Sequence, residues 1–192
     1  TSLKNLQTDY IDLYQIHNIK TDEEFEICFG ENGAYKALEE AKAEGKIGHI
    51  GATAHGLESF ARLIREYEDK IETIMFPYNI VETHGTDLIA KCKEKNIGFV
   101  DMKPLAGGAI EDATLALRFI CANDNVTVVI PGMYDVKEIE QNMMAVNDKS
   151  PLTEEERMKM EEIRKDLGNN FCRRCNYCQP CPQGINISGS FL

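Results

Sequence analysis

The sequence predicts an α/β fold built around a parallel sheet. Five short apolar segments with strand character alternate along the chain with segments of helical character. The connections between them are short, and the apolar segments lack the strict apolar–polar alternation of a sheet with one face in water. This repetition of strand and helix is typical of a parallel sheet that is covered by helices.

The five strand predictions rest on runs of aliphatic, β-branched and aromatic residues. The predicted strands are Tyr10–His17, Ile47–Ala54, Thr73–Asn79, Gly98–Met102 and Val126–Ile130. The last of these, with the sequence VTVVI, is the most strand-like stretch of the chain.

A helix is predicted after each strand. Ala34–Glu44 is rich in Ala, Glu and Lys and ends at Gly45, a common helix stop. Leu57–Tyr67 carries apolar residues at helical spacing. The other predicted helices are Asp87–Lys95, Ala113–Ala122 and Val136–Val146. In the last helix, we interpret the adjacent Met143 and Met144 as core residues.

A break in the pattern follows at Pro151. Thr153 and Glu156 match a capping box, which predicts a charged helix that runs to about Leu167. A cysteine-rich tail comes next, and it is too small to have an apolar core of its own. We therefore expect two parts, residues 1–150 with the strands and their helices and residues 151–192 with the C-terminal helix and the cysteine cluster.

Composition argues against several functional classes. The chain has 21 basic and 32 acidic residues, a net charge of −11, and no basic stripe with interleaved aromatic residues, so nucleic-acid binding is not expected. No apolar run approaches the roughly 18 residues that span a bilayer, and no signal peptide is visible. We expect a cytoplasmic protein without a membrane partner.

The seven cysteines are unevenly distributed. Three are scattered, whereas Cys172, Cys175, Cys178 and Cys181 fall within ten residues. An odd total with one tight cluster does not indicate a disulfide framework. Reduced cysteines together with a metal or cluster site fit a reducing compartment.

The tail spacing C-x2-C-x2-C-x2-C-P leaves three interpretations open. A [4Fe–4S] cluster leads, because the run is similar to that of bacterial ferredoxins. Their last spacing is three residues, whereas Gln179 and Pro180 make it two here, which leaves ligation by Cys181 open. A zinc ion with four thiolate ligands is the second interpretation, and unliganded thiols, which would oxidise, are the third.

Several motifs together carry a family resemblance. They are LQTDYIDLYQIH at Leu6–His17, GKIGHIG at Gly45–Gly51, FPYNIVE at Phe76–Glu82, MKPLAGG at Met102–Gly108 and VVIPGM at Val128–Met133. With them the sequence resembles an aldo/keto reductase, from the fourth strand of the family fold onward. The tail CNYCQPCPQGI resembles the bacterial and archaeal branch that carries an iron–sulfur site.

This resemblance implies a TIM (β/α)8-type barrel, here incomplete with about five βα units, whose chemistry sits at the carboxyl ends of the strands. It also implies carbonyl reduction with NAD(P)H. His17 ends a strand and matches the His of a catalytic tetrad of Asp, Tyr, Lys and His, in which it orients or polarises the carbonyl oxygen. The other three belong to earlier strands of the family barrel, which these residues do not match. A buried structural histidine is the alternative for His17.

The resemblance also implies cofactor contacts. The corresponding residues are Thr53, Pro104, Leu105, Gly132 and Asn142. Lys103 is a candidate for a new anion contact, and an exposed loop lysine is the alternative. The chain departs from the family at neighbouring positions, where Ala54 replaces Asn, Met75 replaces Gln and Met102 replaces an aromatic residue. Glu138 stands where a basic residue often holds the 2′-phosphate, and it would repel that group. The choice between NAD and NADP stays open.

Two functional hypotheses follow. The first is an oxidoreductase that acts on a small-molecule carbonyl substrate and carries a [4Fe–4S] tail. The second is a truncated, non-catalytic barrel that serves as an electron-transfer or interaction module, or has a structural zinc site. In either case open sheet edges would favour self-association.

Overall fold

The computed structural model describes residues 1–168, 171–172 and 178–191. It contains a five-stranded sheet whose strands are adjacent in chain order: β1 (Ile11–Ile16), β2 (Ile47–Thr53), β3 (Thr73–Pro77), β4 (Gly98–Met102) and β5 (Val128–Ile130). β1 pairs with β2, and β2 with β3, in parallel. A helix lies in every connection between strands. The predicted α/β class is confirmed.

The helices are α1 (Ser2–Leu6), α2 (Asp22–Phe29), α3 (Ala34–Ala43), α4 (Leu57–Glu66), α5 (Thr86–Glu94), α6 (Ala113–Cys121), α7 (Val136–Asn147) and α8 (Glu154–Leu167). Two short 3₁₀ segments span Ala106–Gly108 and Ser188–Phe191. Every predicted strand and helix is present, with small shifts at the ends. In the described part of the chain, no helix is long and apolar enough to cross a bilayer.

Sequence reasoning missed α1 and α2. The start of α2 has a readable signal, because Thr21 and Glu24 form a capping box. The Glu24 N–H donates to Thr21 Oγ1 at 3.2 Å, and the Thr21 N–H donates to Glu24 Oε2 at 3.2 Å. The same motif at Thr153 and Glu156 correctly predicted the start of α8.

The chain forms two compact units, each assembled from separate segments. Unit 1 comprises Thr1–Phe76, His84–Asp101 and Asn125–Val128. Unit 2 comprises Pro77–Thr83, Met102–Asp124 and Val129–Leu192. The division expected at residue 150 stays a prediction.

The core of unit 1 is centred on α4. Its buried face carries Phe60, Leu63 and Ile64 at helical spacing. The Phe60 ring lies 4.7 Å from that of Phe76 and 5.8 Å from that of Phe99, between ring centroids. Each such side chain contributes about 1.5–3 kcal/mol through burial of its apolar surface, so this cluster anchors α4 to the strands.

Unit 2 has its own apolar cluster and a buried ion group. The cluster comprises Ile80, Ala106, Ile110, Leu115, Ala116 and Met160. Beside it, the buried Arg118 guanidinium of α6 pairs with Asp148 at 2.5 Å and with Glu156 at 2.5 Å. These contacts connect α6 to the segment after α7 and to the first turn of α8.

The expectation that Met143 and Met144 pack in the core is wrong. Their exposed fractions are 55% and 69%. The buried residues of α7 are Asn142 and Ala145, so the positions between them point away from the core. Apolar residue type alone therefore gave the wrong face of this helix.

Candidate active site at the ends of the strands

The carboxyl ends of β1 and β2 are joined through Thr53. His17 directly follows β1 and is exposed. The Asn18 N–H donates to Thr53 Oγ1 at 2.6 Å, and the Ile19 N–H donates to Thr53 O at 3.2 Å. Thr53, the last residue of β2, is buried. The segment after His17 is thus held against the end of the neighbouring strand. These hydrogen bonds restrict the backbone position of His17.

Two polar side chains lie near the carboxyl ends of these strands, two residues before His17 and Met75. The strand register places Gln15, Gly51 and Thr73 side by side on β1, β2 and β3. A Cβ atom on Gly51 would lie 2.1 Å from Thr73 Oγ1, so this position requires glycine. Gln15 Oε1 and Thr73 Oγ1 are buried and have no hydrogen-bond partner among the described residues. The interior next to His17 and Thr53 is therefore polar.

In unit 2, the residue after β4 is positioned by a buried asparagine. Asn79 Nδ2 donates to Lys103 O at 3.1 Å and to Glu82 Oε2 at 3.0 Å. Asn79 Oδ1 accepts from the N–H groups of Val81 and Glu82 at 3.0 and 2.9 Å. Lys103 has a φ of 59°, a left-handed conformation that few non-glycine residues adopt. Sequence reasoning quoted Asn79 within its FPYN motif but missed this positioning role.

The residues that follow Lys103 differ in their exposure. Pro104 is buried, and Leu105 packs against the apolar cluster of unit 2. The N–H groups of Ala106 and Gly108 donate to Lys103 O and Leu105 O, at 2.9 and 2.8 Å. The backbone of this turn is thus held by its own hydrogen bonds, and a cofactor contact of Lys103, Pro104 or Leu105 stays a prediction.

The last predicted cofactor positions are Gly132, which precedes α7, and Asn142, in the middle of α7. Gly132 is exposed and has open space around it, whereas Asn142 is buried on α7. The Glu138 N–H donates to Asp135 Oδ1 at 3.0 Å, and Glu138 Oε2 accepts from the Tyr134 N–H at 2.6 Å. Glu138 therefore has a structural role at the helix start, and its negative charge makes this region unfavourable for a phosphate.

The predicted cluster ligands are only partly described. Cys172 and Cys181 are half-buried, Cys178 is exposed, and none of the three forms a disulfide. Cys175 lies outside the described residues. Within the described ranges, no group of three or more His, Cys, Asp or Glu side chains is arranged to hold a metal ion.

Two other histidines of unit 1, His49 and His84, contact neighbouring side chains. His49 Nδ1 lies 2.6 Å from Glu72 Oε2, and the His84 ring meets the Phe76 ring edge-on at 5.8 Å. Burial raises the pKa of Glu72, but hydrogen bonds from Lys42 and His49 outweigh it and lower this pKa to about 2. His49 therefore belongs to an ion group of unit 1.

The model of the aldo/keto reductase family matches residues 1–114, which is more than half of the chain. The chain belongs to the aldo/keto reductase family. The match ends before the cysteine tail, which the family assignment therefore does not cover.

Similar proteins and structures agree with this assignment. The chain is 25% identical to L-galactose dehydrogenase of Arabidopsis thaliana over 181 residues, covering 77% of this chain and 56% of that protein. It is similar to the structure of aldo-keto reductase AKR11C1 from Bacillus halodurans in its holo form, with a TM-score of 0.67 and 26% identity, covering 84% of this chain and 64% of that one. The chain thus spans less than two thirds of the length of either relative. Its five parallel strands agree with an incomplete TIM-like barrel.

Proposed function

We propose that the full polypeptide reduces a small-molecule carbonyl group with hydride from NAD(P)H. The observation that carries this proposal is the position of His17 in a chain of this family. His17 is exposed at the carboxyl end of β1, and Thr53 holds the next two residues against the end of β2. The family membership favours this function over the non-catalytic alternative.

The chemistry assigned to this chain centres on the carbonyl oxygen. A ring N–H of His17 donates a hydrogen bond to that oxygen, and the bond strengthens as negative charge develops there. When bound, NAD(P)H would supply the hydride for the carbonyl carbon, and a proton would be needed at the oxygen to complete the alcohol. The family resemblance assigns that proton to a tyrosine that lies outside the matched strands.

The residues present fit the nicotinamide end of the cofactor better than a 2′-phosphate. Thr53 of unit 1 offers a hydroxyl at the end of β2. Asn142 of unit 2 is a buried amide on α7 that matches a family position at the 2′-phosphate end of the cofactor. In unit 2, Lys103, Pro104, Leu105 and Gly132 stay proposed cofactor contacts. Pro104, Leu105 and Gly132 rest on the family resemblance, and none of the four rests on its position relative to Thr53. Glu138 opposes a 2′-phosphate, so we propose that NADH binds more tightly than NADPH.

The direct test is reduction of a panel of aldehydes and ketones by the full polypeptide, with NADH and with NADPH. His17→Gln should lower kcat by about 10²-fold, as expected for loss of one donor to a developing oxyanion, while dinucleotide affinity is kept. His49→Gln is the matched control, since His49 belongs to the Glu72 ion group, and it should leave kcat unchanged. Equal kcat in wild type and His17→Gln would contradict the role of His17.

We further propose that Cys172, Cys175, Cys178 and Cys181 hold a [4Fe–4S] cluster. The spacing of four thiols within ten residues supports it, and thiolates are suitable ligands for iron–sulfur clusters. Among the described members, two thiols are half-buried and one is exposed. Such a cluster moves single electrons, whereas hydride transfer moves two, and its role would be structural or in electron transfer.

Metal analysis of protein purified without oxygen distinguishes the cluster from its alternatives. About four iron and four sulfide per chain would support the cluster. Close to one zinc without sulfide would establish the four-thiolate zinc site instead. If neither iron nor zinc is found, the remaining interpretation is that the four thiols are unliganded.

Self-association and a cytoplasmic location complete the proposal. β1 and β5 are the outer strands of the sheet, and unpaired strand edges favour association. The uneven distribution of the seven cysteines does not indicate a disulfide framework, which supports a reducing compartment.

A further inference from the structure

The last tail cysteine lies in a loop that the side chain of Gln179 closes. Gln179 Oε1 accepts a hydrogen bond from the Cys181 N–H at 3.1 Å, and Gln179 Nε2 donates to Ile185 O at 2.9 Å. Gln179 is half-buried, and its amide acts as an acceptor and as a donor at the same time. One side chain thus holds together the backbone of residues 179–185.

A further hydrogen bond fixes the carbonyl group of the same cysteine. The Gly184 N–H donates to Cys181 O at 2.9 Å. Gly184 has a φ of 69°, a left-handed conformation that glycine adopts without steric cost. Both backbone polar groups of Cys181 are therefore hydrogen-bonded within this loop. The protein itself restricts the direction in which the Cys181 side chain leaves the backbone.

Apolar packing contributes little to the order of this loop. Ile185 is 53% exposed, and Pro182 and Gly184 are exposed as well. A segment without an apolar core of its own is held in a fixed shape by hydrogen bonds or by a metal. The Gln179 amide supplies two of the hydrogen bonds of this loop, so its removal should release the backbone of Cys181.

Order that exists before binding strengthens a metal site. A flexible ligand loses conformational entropy when it binds, which weakens the site. Cys178 directly precedes Gln179, and Cys181 follows two residues after it, so the Gln179 loop adjoins both thiols of the last spacing. Cysteine thiolates are the donors that the proposed cluster requires.

We propose that Gln179 is a positioning residue that presents Cys181, together with Cys178, as the fourth thiolate ligand of the [4Fe–4S] cluster. This inference rests on the proposed cluster. Gln179 acts through the backbone of Cys181, and its amide needs no contact with the cluster. Cys181 thereby takes the ligand role that the last spacing, of two residues rather than three, leaves open.

The test follows iron retention in the full polypeptide that carries this chain, purified without oxygen. The measurements are iron and sulfide per chain, the EPR spectrum after reduction with dithionite, and the chelator concentration that removes half of the iron. Gln179→Ala should lower that chelator concentration about tenfold, as expected for loss of a group that orients a metal ligand. Gln183→Ala, at an exposed glutamine of the same tail, should behave as wild type.

Further variants separate positioning of Cys181 from a general loss of structure. Gln179→Glu keeps the acceptor for the Cys181 N–H, so it should retain iron better than Gln179→Ala. Cys181→Ser should change the EPR spectrum, and adding Gln179→Ala to it should cause no further loss of iron, because both changes act on the same ligand. Gly184→Ala places a side chain at a positive φ, and it should weaken iron retention as Gln179→Ala does.

The possible failures are distinguishable. If wild type contains the cluster and Gln179→Ala retains iron as well as Gln183→Ala does, the positioning role is overturned while the cluster stands. If Cys181→Ser keeps the full iron content and the wild-type EPR spectrum, Cys181 is not a ligand and the inference falls. If wild type contains no iron, the proposed cluster falls and the inference with it.

Discussion

Helices α4 and α7 have similar apolar content but very different burial. α4 in unit 1 buries Phe60, Leu63 and Ile64. α7 in unit 2 buries Asn142 and Ala145 and leaves Ile139, Met143 and Met144 exposed. Periodicity predicts both helices correctly, but burial depends on what packs against them. A helix signal in sequence therefore does not establish that its apolar residues are covered.

The largest expected difference between the two helices is in core stability. Phe60→Ala should lower the free energy of unfolding by about 3–5 kcal/mol, because it removes a buried ring and leaves a cavity. Met143→Ala should change it by less than about 0.5 kcal/mol, because Met143 is exposed. Urea unfolding followed by circular dichroism measures both, and comparable losses would show that α7 is covered in solution.

The ion group of α6 should have the next largest effect. Arg118→Ala leaves the carboxylates of Asp148 and Glu156 without their guanidinium partner, and we expect a loss of about 3 kcal/mol. Arg65→Ala is the control, since Arg65 pairs with Glu66 in an exposed position of α4, and its unfolding midpoint should match wild type. Equal midpoints for both variants would contradict a stabilising role for the buried group.

Acid should weaken the Arg118 ion group through Glu156. Hydrogen bonds from Arg118 and then from the Thr153 N–H lower the pKa of Glu156 to about 2. The contribution of the folded carboxylate is fully present above its unfolded pKa near 4.5 and is lost as pH falls toward 2. The urea midpoint of unfolding should therefore decrease as the pH is lowered from 5 to 2. Glu156→Gln should make this decrease smaller. An unchanged slope in the variant would assign the acid sensitivity to other groups.

The smallest effect on stability is expected at the exposed face of α7. Replacing Ile139 and Met143 by serine removes apolar surface that is already in water, so unfolding should change by less than about 0.5 kcal/mol. Sedimentation velocity should show the same self-association as in wild type, because the proposed contact is at the sheet edges of β1 and β5. Weaker association in the variant would contradict the sheet-edge contact.

The sequence predicted the strands and most helices because their signals are local. The VTVVI run and the capping box at Thr153 each lie within a few residues. The contacts of Asn18 with Thr53 and of Asn79 with Lys103 join residues 35 and 24 positions apart, so no local pattern shows them. The exposure of Met143 was missed because it depends on which surfaces meet α7.

Transfer of hydride to a carbonyl carbon is the central claim, and isotope transfer tests it most directly. The full polypeptide is incubated with an aldehyde and with NADH or NADPH deuterated at both C4 positions, and the alcohol is analysed by mass spectrometry. We predict one deuterium on the carbinol carbon, formed much more slowly by His17→Gln. An alcohol without deuterium, or no alcohol from any carbonyl in the panel, would contradict the assigned function.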